Sequence, residues 1–399
     1  MTTPQKNLPT IPATESKYST PKSRLLYVSH LPRRPSGGGV LAVSFRIAQE
    51  LDRCFDLHDV GPIVPRVRRT DTVLSKMRRK VFRVPGAFYP FSAGTLQSTA
   101  HQIEGLVDKD TDAVFFRSST RWIHCRPTVP YFVHTDVVFH TFFHNTFDPT
   151  DFITSDLRRI WATESAFLEG AAAVFFESEW GLQKARDAYG ISGQNMFALR
   201  NGGGIDPPAN DVWDSSRPHR ILTIAKHFRQ KGGDLVLDAF LELKRRFPDL
   251  EWSIIGGEPE GNWREIPGVS YEGFLRPDNP EELAKFRDLL ANAFLLIHPT
   301  REDTNPLVLV EAAYFGCPCV SVNDFAIPEL VIDRQTGILV DRPVTAGSVV
   351  HAIEHMIEHP IEYLDMRRSS RKRAVAKFDW NAIGAEMAGH INRCLARDK

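Results

Sequence analysis

The chain has 399 residues and a formal net charge of zero, with 49 Lys and Arg against 49 Asp and Glu. A nucleic-acid binder normally carries an excess of positive charge, so this balance argues against nucleic acid as a partner. The hydrophobic share of 42% and the charged share of 25% are those of a soluble globular protein and exclude global disorder. The length is enough for two or three domains, each of about 150 residues.

The cysteines and the first residues of the chain indicate the cellular compartment in which we expect the protein. Five cysteines are an odd number, and none forms a C-x-x-C pair, which argues against a disulfide framework or a structural zinc site. Residues 1–23 are rich in Thr, Pro, Ser and Lys and lack the apolar core of a secretory signal, so we expect a disordered tail. No run approaches the ~20 apolar residues of a membrane span, and we expect a cytoplasmic protein.

Short apolar runs alternate with helical patterns along the whole chain. Strand candidates in the first half lie at 24–31, 113–118, 129–133 and 172–178, with a helix at 40–51. Those in the second half lie at 220–225, 251–257, 293–299, 317–322 and 337–340, with helices at 235–247, 280–293 and 306–316. Asn279 before Pro280 predicts a helix start, and Gly316 predicts a helix end. Strands alternating with helices predict a parallel sheet with helices on both faces, here twice.

The two halves are separated by residues 200–218, which are dense in Gly, Pro, Asn, Asp and Ser and therefore predict a linker. This gives a first domain at 24–199 and a second at 219–377. In open α/β sheets, ligands bind beyond the carboxyl ends of the strands. We therefore expect a ligand cleft between the two domains.

The segment 299–322 combines a strand, a loop, a helix and a strand. Asp303 lies in the loop and Glu311 inside the helix. The amino-terminal end of a helix favours an anion, and a carboxylate there can accept hydrogen bonds from sugar hydroxyls. Phosphate together with polyol describes a nucleotide sugar. The alternative is that Glu311 is a solvated helix residue and Asp303 a helix cap.

On these residues the sequence resembles the retaining GT-B glycosyltransferases of family 4, group 1. The matching positions are Pro299-Thr300, Asp303, Leu307, Glu311-Ala312 and Gly316-Cys317-Pro318. Asp303 replaces the family's first glutamate, and Thr304-Asn305-Pro306 replaces its Gly-aromatic-Gly turn. Because Pro306 lacks an N–H group, a backbone cradle must use Thr304, Asn305, Leu307 or Val308.

The resemblance implies a fold and a set of roles. The fold is α/β with GT-B architecture: two Rossmann-like domains face each other across a cleft, and a C-terminal helix (378–399) returns to the first domain. Glu311 would bind the ribose hydroxyls of the nucleotide, and Asp303 would contact the donor sugar. The turn at Gly273-Phe274 would hold the base by backbone groups and stacking.

A lysine pair follows the strand candidate at 220–225. Lys226 and Lys231 precede Gly232-Gly233, and two cations at such a turn can hold a diphosphate and stabilise it as a leaving group. In the family this turn carries an Arg, here Lys226, and a Lys, here Lys231. The alternative is a solvated charge run, to which Arg229 would also belong.

In the first half, Gly37, Gly38 and Gly39 form a strand-to-helix turn that is not a G-x-G-x-x-G fingerprint. By resemblance it faces the donor phosphates; the alternative is a plain loop. The histidine-rich segment 129–147 resembles the part of the family that supplies residues near the reacting sugar carbon. Asp136 and His140 are the first candidates there, ahead of His134 and His144, and no metal site is expected because the family needs none.

Two basic runs lie at 66–83 and 367–377. The first has apolar residues at helical spacing, so it predicts either a surface helix or an amphipathic helix in contact with an anionic membrane or acidic acceptor. For the second run, too, the alternatives are a surface helix and contact with an anionic membrane or acidic acceptor.

These features predict a retaining glycosyltransferase that moves a sugar from a nucleoside-diphosphate sugar, with UDP or GDP favoured, to an acceptor hydroxyl. The acceptor is a glycan, a lipid-linked or a small molecule, and no tightly bound cofactor is expected. A GT-B epimerase or phosphorylase, and a non-catalytic nucleotide-sugar-binding subunit, remain alternatives.

Overall fold

The computed structural model describes residues 22–35, 38–210, 213, 219–259 and 261–397. Most of the predicted tail, Gly37 of the glycine turn and most of the second half of the predicted linker lie outside these residues. The domain limits drawn from the sequence stay a prediction.

Twelve described strands form two parallel six-stranded sheets. The first sheet contains β1 (Arg24–Val28), β2 (Asp56–Asp59), β3 (Ala113–Arg117), β4 (Tyr131–Thr135), β5 (Ala173–Phe176) and β6 (Met196–Ala198). The second contains β7 (Arg220–Ala225), β8 (Glu251–Gly256), β9 (Val269–Gly273), β10 (Leu295–His298), β11 (Cys319–Val322) and β12 (Gly337–Val340). The predicted pair of parallel α/β sheets is confirmed.

The strand order sets where a ligand can enter. The first sheet has the order β2-β1-β3-β4-β5-β6, and the second has β12-β11-β10-β7-β8-β9. The direction of the connections reverses between β1 and β3 in the first sheet and between β7 and β10 in the second. Such switch points open a crevice at the carboxyl ends of the strands.

Helices cover both sheets. Those of the first half are α1 (Val40–Cys54), α2 (Arg69–Lys80), α3 (Ala93–Glu104), α4 (Phe139–Thr146), α5 (Thr154–Glu169) and α6 (Glu179–Tyr189). Those of the second are α7 (Gly233–Arg246), α8 (Pro280–Ala291), α9 (Leu307–Tyr314), α10 (Ile327–Leu330), α11 (Ala346–Glu358), α12 (Pro360–Lys377) and α13 (Trp380–Arg397). Within the described ranges, none has the length and apolar character needed to cross a membrane.

Local sequence chemistry explains several helix ends. The Asn279 side chain accepts hydrogen bonds from the backbone of Glu281 (3.0 Å) and Glu282 (3.4 Å), which caps α8 as predicted. Gly316 has φ +65° just beyond α9, a conformation that glycine adopts without strain. Both predicted helix limits are confirmed.

The last helix belongs to the core of the first half. The apolar face of α13, including Ile383, Met387 and Ile391, is buried in one cluster with Val43 and Ile47 of α1. The chain therefore crosses back over the cleft, as the resemblance implied.

One strand is displaced along the sequence from its predicted position, and the edge strands β2, β6 and β9 were not predicted. β4 lies at Tyr131–Thr135, two residues later than the predicted 129–133. Pro130 cannot donate to a neighbouring strand, although its carbonyl accepts from Val114 N (3.0 Å). The edge strand β2 was missed because its sequence, DLHD, has no apolar run.

Candidate active site between the two sheets

A cavity of about 730 Å³ lies between the two sheets and is lined by both halves of the chain. His30 follows β1 and Arg117 ends β3, at the switch point of the first sheet. Lys226 follows β7 and His298 ends β10, at the switch point of the second. Four polar side chains thus reach one space because parallel strands bring their carboxyl ends to a common edge.

The centre of the second-sheet wall is an ion-paired cluster. Lys231 Nζ lies 2.5 Å from Asp303 Oδ2 and 2.9 Å from the Glu302 carbonyl oxygen. His298 Nε2 lies 3.2 Å from the same oxygen of Asp303. The turn that carries Lys231 packs against the loop after β10, since a Cβ at Gly232 (φ +79°) would collide with the carbonyl oxygen there. Glycine is therefore what lets Lys231 reach Asp303.

Asp303 stays ionised in this setting. Burial acts to raise the pKa of its carboxyl, but the hydrogen bond and charge of His298 and the Lys231 ammonium outweigh it and hold the pKa below its ordinary value. Asp303 is not a helix cap, because α9 begins after Pro306 without a side-chain cap. The capping alternative for Asp303 is wrong.

Glu311 is a buried carboxyl rather than a solvated one. Its side chain on α9 has 6% of its surface exposed, and Oε1 accepts a hydrogen bond from Gly204 N (2.9 Å). Burial raises the pKa of Glu311 to about 7, and the Gly204 bond offsets only part of that rise. A buried carboxyl with one donor retains capacity to accept from a ligand's hydroxyls.

Asp136 and Thr304 join the two halves across the cleft. Thr304 Oγ1 donates to Asp136 Oδ2 at 2.6 Å, while Asp136 Oδ1 is buried and has no hydrogen-bond partner in the described ranges. Burial first, and then the charge of Glu177, raise the pKa of Asp136 to about 7. Asp136 lines the cavity, whereas Thr304 reaches it only through this bond.

His140 does not reach the cavity, so the structure separates it from Asp136. Phe139 and Phe142 of α4 line the cavity, and the next position, His140, turns to the other face of the helix. There its ring centroid lies 4.2 Å from His144 and 4.9 Å from Trp161.

The other predicted site residues also divide into those that line the cavity and those that do not. Those that line the cavity are Gly38, Gly39, Lys226, Phe274, Asn305, Leu307 and Val308. Gly273 does not line it, although its φ of +70° sets the direction in which Phe274 leaves β9. Lys226 is exposed, and its ammonium forms no hydrogen bond or ion pair with the described part of the chain.

Sequence reasoning missed a buried ion pair beneath the cavity. Arg117 Nη2 lies 2.7 Å from Glu177 Oε1, and Asn201 donates to Glu177 Oε2 at 2.6 Å. Asn305 of the second half donates to the Glu177 carbonyl at 3.3 Å. The sequence feature that could have revealed this ion pair is the charged residue that ends each of two apolar strand runs, AVFFR and AAVFFE. Among the described residues, no three His, Cys, Asp or Glu side chains converge as a metal site would need.

The second half of the chain is similar in sequence to a known protein family. Residues 212–373 match the family model of glycosyl transferases group 1. The chain resembles the group 1 glycosyltransferases. The matched segment contains the Lys231–Asp303 cluster and Glu311, so the resemblance covers the second-sheet wall of the cavity.

Two curated proteins are similar to part of this chain in sequence. A GDP-mannose-dependent alpha-(1-6)-phosphatidylinositol monomannoside mannosyltransferase of Mycolicibacterium smegmatis is 28% identical over 184 residues, which is 42% of this chain and 46% of the relative. A glycogen synthase of Mycobacterium tuberculosis is 26% identical over 242 residues, which is 58% of this chain and 56% of the relative. The chain spans about half the length of these relatives.

Solved structures match over almost the whole chain. Sucrose-phosphate synthase from Thermosynechococcus elongatus has a TM-score of 0.66 at 14% identity, covering 95% of this chain and 100% of that one. Anabaena Alr3699/HepE in complex with UDP-glucose has a TM-score of 0.62 at 15% identity, covering 93% and 99%. This likeness shows the GT-B fold.

Proposed function

We propose that this chain is a retaining glycosyltransferase that moves a sugar from a nucleoside-diphosphate sugar to an acceptor hydroxyl. The observation that carries the proposal is the meeting of Lys226, Lys231, Asp303 and Glu311 at the switch point of the second sheet. Cations for a diphosphate and carboxyls for sugar hydroxyls are the chemistry a nucleotide sugar requires. Uridine and guanosine diphosphate sugars are the favoured donors, since one relative is named for GDP-mannose and one neighbour holds UDP-glucose.

In this proposal the donor lies along the second-sheet wall. Glu311 accepts hydrogen bonds from the ribose hydroxyls, and Phe274 flanks the base. Lys226, which has no recorded counter-ion among the described residues, pairs with the diphosphate together with Lys231. Fixed cations that face a developing charge lower the barrier for a phosphate leaving group.

Asp303 and Asp136 then face the sugar. Asp303 is held as a carboxylate by Lys231 and His298, so it accepts hydrogen bonds from sugar hydroxyls. We place the acceptor on the first-sheet wall, on the same side of the sugar as the departing phosphate. That phosphate takes the acceptor proton, and the product keeps the configuration of the donor sugar. Closure of the cleft by the Asp136–Thr304 bond excludes water that would hydrolyse the donor.

The first experiment identifies the donor. The full chain is screened for thermal shifts with UDP-, GDP- and ADP-sugars, and the stabilising donor is then used to measure sugar release and transfer. Anomeric signals in the proton NMR spectrum of the product report the configuration, and we expect retention. An inverted product refutes the retaining mechanism.

Variants then test the site. We expect Glu311→Ala and Lys231→Ala to lower donor turnover sharply, whereas the exposed Glu358→Ala and Lys372→Ala retain it. Wild-type turnover in both site variants refutes the assignment. Donor binding that persists in a wild-type chain without any turnover favours the non-catalytic subunit, and interconversion of the free donor favours an epimerase.

We also propose that the basic helix α2 contacts an anionic membrane. Val73 is 63% exposed, Leu74 is 56% exposed and Phe82, just beyond the helix, is 60% exposed, so the apolar side of this segment faces outward. Six Lys or Arg residues lie between 68 and 80 on the same segment. Exposed apolar and basic side chains together favour an interfacial helix.

Two arginines of the second basic run make hydrogen bonds inside the protein. Arg367 donates to the carbonyls of Ala293 (3.1 Å) and Phe315 (3.1 Å), and Arg373 donates to the Glu329 carbonyl (2.6 Å). These arginines stabilise the second half, so the membrane proposal is confined to α2.

Co-sedimentation with vesicles tests this contact. The wild-type chain should pellet with phosphatidylserine-containing vesicles and stay in solution with phosphatidylcholine alone. The Val73→Glu/Leu74→Glu variant should lose the difference, whereas Leu241→Glu, at a 41% exposed position of α7, should keep it. Equal sedimentation with both lipids contradicts the proposal.

A further inference from the structure

The first-sheet wall of the cavity carries an arginine in an unusual position. Arg121 lies in the short turn after β3 and lines the cavity. Its neighbours are held by the protein: Trp122 is buried and donates to the Arg117 carbonyl at 3.0 Å, and Thr120, which also lines the cavity, donates to Glu164 at 2.7 Å. The turn is thus anchored on both sides of Arg121 and presents it to the cavity.

Arg121 also lacks a counter-ion. Within the described ranges no hydrogen bond or ion pair is recorded for it, and burial alone lowers the pKa of its guanidinium. By contrast, Arg117 pairs with Glu177 and Lys231 pairs with Asp303. A guanidinium that is partly withdrawn from water without an acid is poorly compensated, and a bound anion would compensate it.

Two further polar groups on the same wall have no partner among the described residues. Ser118 Oγ and His30 Nδ1 are buried there without a hydrogen bond from this part of the chain, and both residues line the cavity. Burial first, and then the charges of Arg121 and Arg117, lower the pKa of His30 to about 4. The two guanidinium groups are therefore close enough to His30 to influence its protonation. His30 is therefore neutral near pH 7 and can offer an N–H group.

We propose that the acceptor carries a phosphoryl group, which binds at the first-sheet switch point to Arg121, Ser118 and His30. This inference rests on the proposed glycosyl transfer and adds the chemical class of the acceptor. The guanidinium fork matches two oxygens of a phosphoryl group, and the hydroxyl and imidazole can donate to the same group. A neutral glycan would leave Arg121 uncompensated.

The donor diphosphate does not account for Arg121. Lys226 and Lys231 belong to the second sheet, on the opposite wall from the turn after β3. Among the described residues, Arg117 and Arg276 also line the cavity, but each is ion-paired, with Glu177 and Glu282. The lysine pair and Arg121 therefore lie on opposite walls. The lysine pair serves the diphosphate of the donor, and Arg121 is left for the second substrate.

Matched acceptors test the proposal. With the donor found by thermal shift, transfer is measured to glucose and glucose 6-phosphate, to myo-inositol and inositol 1-phosphate, and to vesicles with and without phosphatidylinositol. We expect a phosphorylated member to be preferred by about 10- to 100-fold in kcat/KM, the usual range for a hydrogen-bonded charge. The soluble and vesicle arms separate a free phosphate ester from a lipid headgroup.

The Arg121→Gln variant should remove this preference and leave the KM for the donor unchanged, and Arg121→Lys should restore part of it. Arg158→Gln, at an exposed position of α5, is the matched control and should behave as the wild type. A rise in donor KM with an unchanged acceptor preference would overturn the proposal, because Arg121 would then serve the donor. A preference for the uncharged acceptors overturns it as well.

A binding measurement is independent of turnover. Calorimetric titration of the wild-type chain with the preferred sugar phosphate should show binding that is weakened about 10-fold or more in Arg121→Gln. Equal binding by both proteins contradicts the phosphoryl site. If the sugar phosphate binds through Arg121 but no donor turns over, the phosphoryl site stands and the proposed glycosyl transfer fails.

Discussion

Replacing Glu311 by glutamine should change stability in a pH-dependent way. The buried carboxyl accepts one hydrogen bond, from Gly204 N, and burial raises its pKa from 4.5 to about 7. Glutamine keeps an oxygen that can accept the Gly204 bond and removes the charge. The substitution therefore isolates the free energy of burying the ionised form.

The magnitude follows from proton linkage. A pKa of about 7 in the folded chain against 4.5 in the unfolded chain corresponds to about 3 kcal/mol. Between these values the folded state binds more protons, so wild-type stability falls as pH rises from about 4.5 and the loss is complete above about 7. Glu311→Gln should therefore be more stable than the wild type by up to about 3 kcal/mol at pH 8 and nearly equal to it at pH 4.5.

Urea unfolding at these two pH values measures the difference. Glu169→Gln, at an exposed position of α5, is the control and should show no such pH dependence. A Glu311→Gln chain with the same advantage at both pH values, or with none at pH 8, would refute the burial argument. The variant should also bind the donor more weakly, since the charged acceptor for ribose hydroxyls is gone.

Three further predictions concern the cleft. Lys231→Met should lower donor turnover by about 10²- to 10³-fold, measured as kcat, because a cation facing the leaving group is lost; an unchanged kcat contradicts this role. Thr304→Val should raise the pKa of Asp136 above about 7, because a bond that favours the carboxylate is removed; a carboxyl-carbon NMR titration would detect it, and a lower value refutes it. Gly232→Ala should destabilise the chain by more than the about 1–2 kcal/mol expected for Gly261→Ala, since both have positive φ but only the first Cβ meets a neighbour; equal urea midpoints would contradict the contact.

The sequence predicts the fold well where the apolar pattern is strong. The apolar runs RILTIA and GILV form largely buried strands, and the structure places β7 and β12 at the predicted residues. Three of the four edge strands, β2, β6 and β9, were missed because each is very short or interrupted by polar residues. The order of the strands within each sheet could not be predicted from the sequence either, since it depends on contacts between residues far apart in the chain.

Much of the second-sheet wall was predictable because its residues fall in two short segments, 226–231 and 303–311, that resemble family motifs. The first-sheet wall was predicted only in part: Gly38, Gly39 and Asp136 line the cavity, but Arg117, Arg121 and Glu177 were missed because they come from separate strand ends and turns. His140 illustrates the difference: composition marked the histidine-rich segment, but only the helix direction of α4 shows which side chains face the cavity. Arg121 belongs to no sequence motif, and only the three-dimensional structure shows that no acid among the described residues pairs with it.

The packing of α13 has a consequence for synthesis on the ribosome. The apolar face of α1, including Val43, Ile47 and Leu51, is covered by residues of α13, which emerge more than 300 positions later. The first half therefore cannot complete its core while the second half is being translated, although domains usually fold in order of synthesis. A nascent chain would present this apolar surface until α13 emerges, and chaperones that bind such surfaces would be expected to associate with it over that interval.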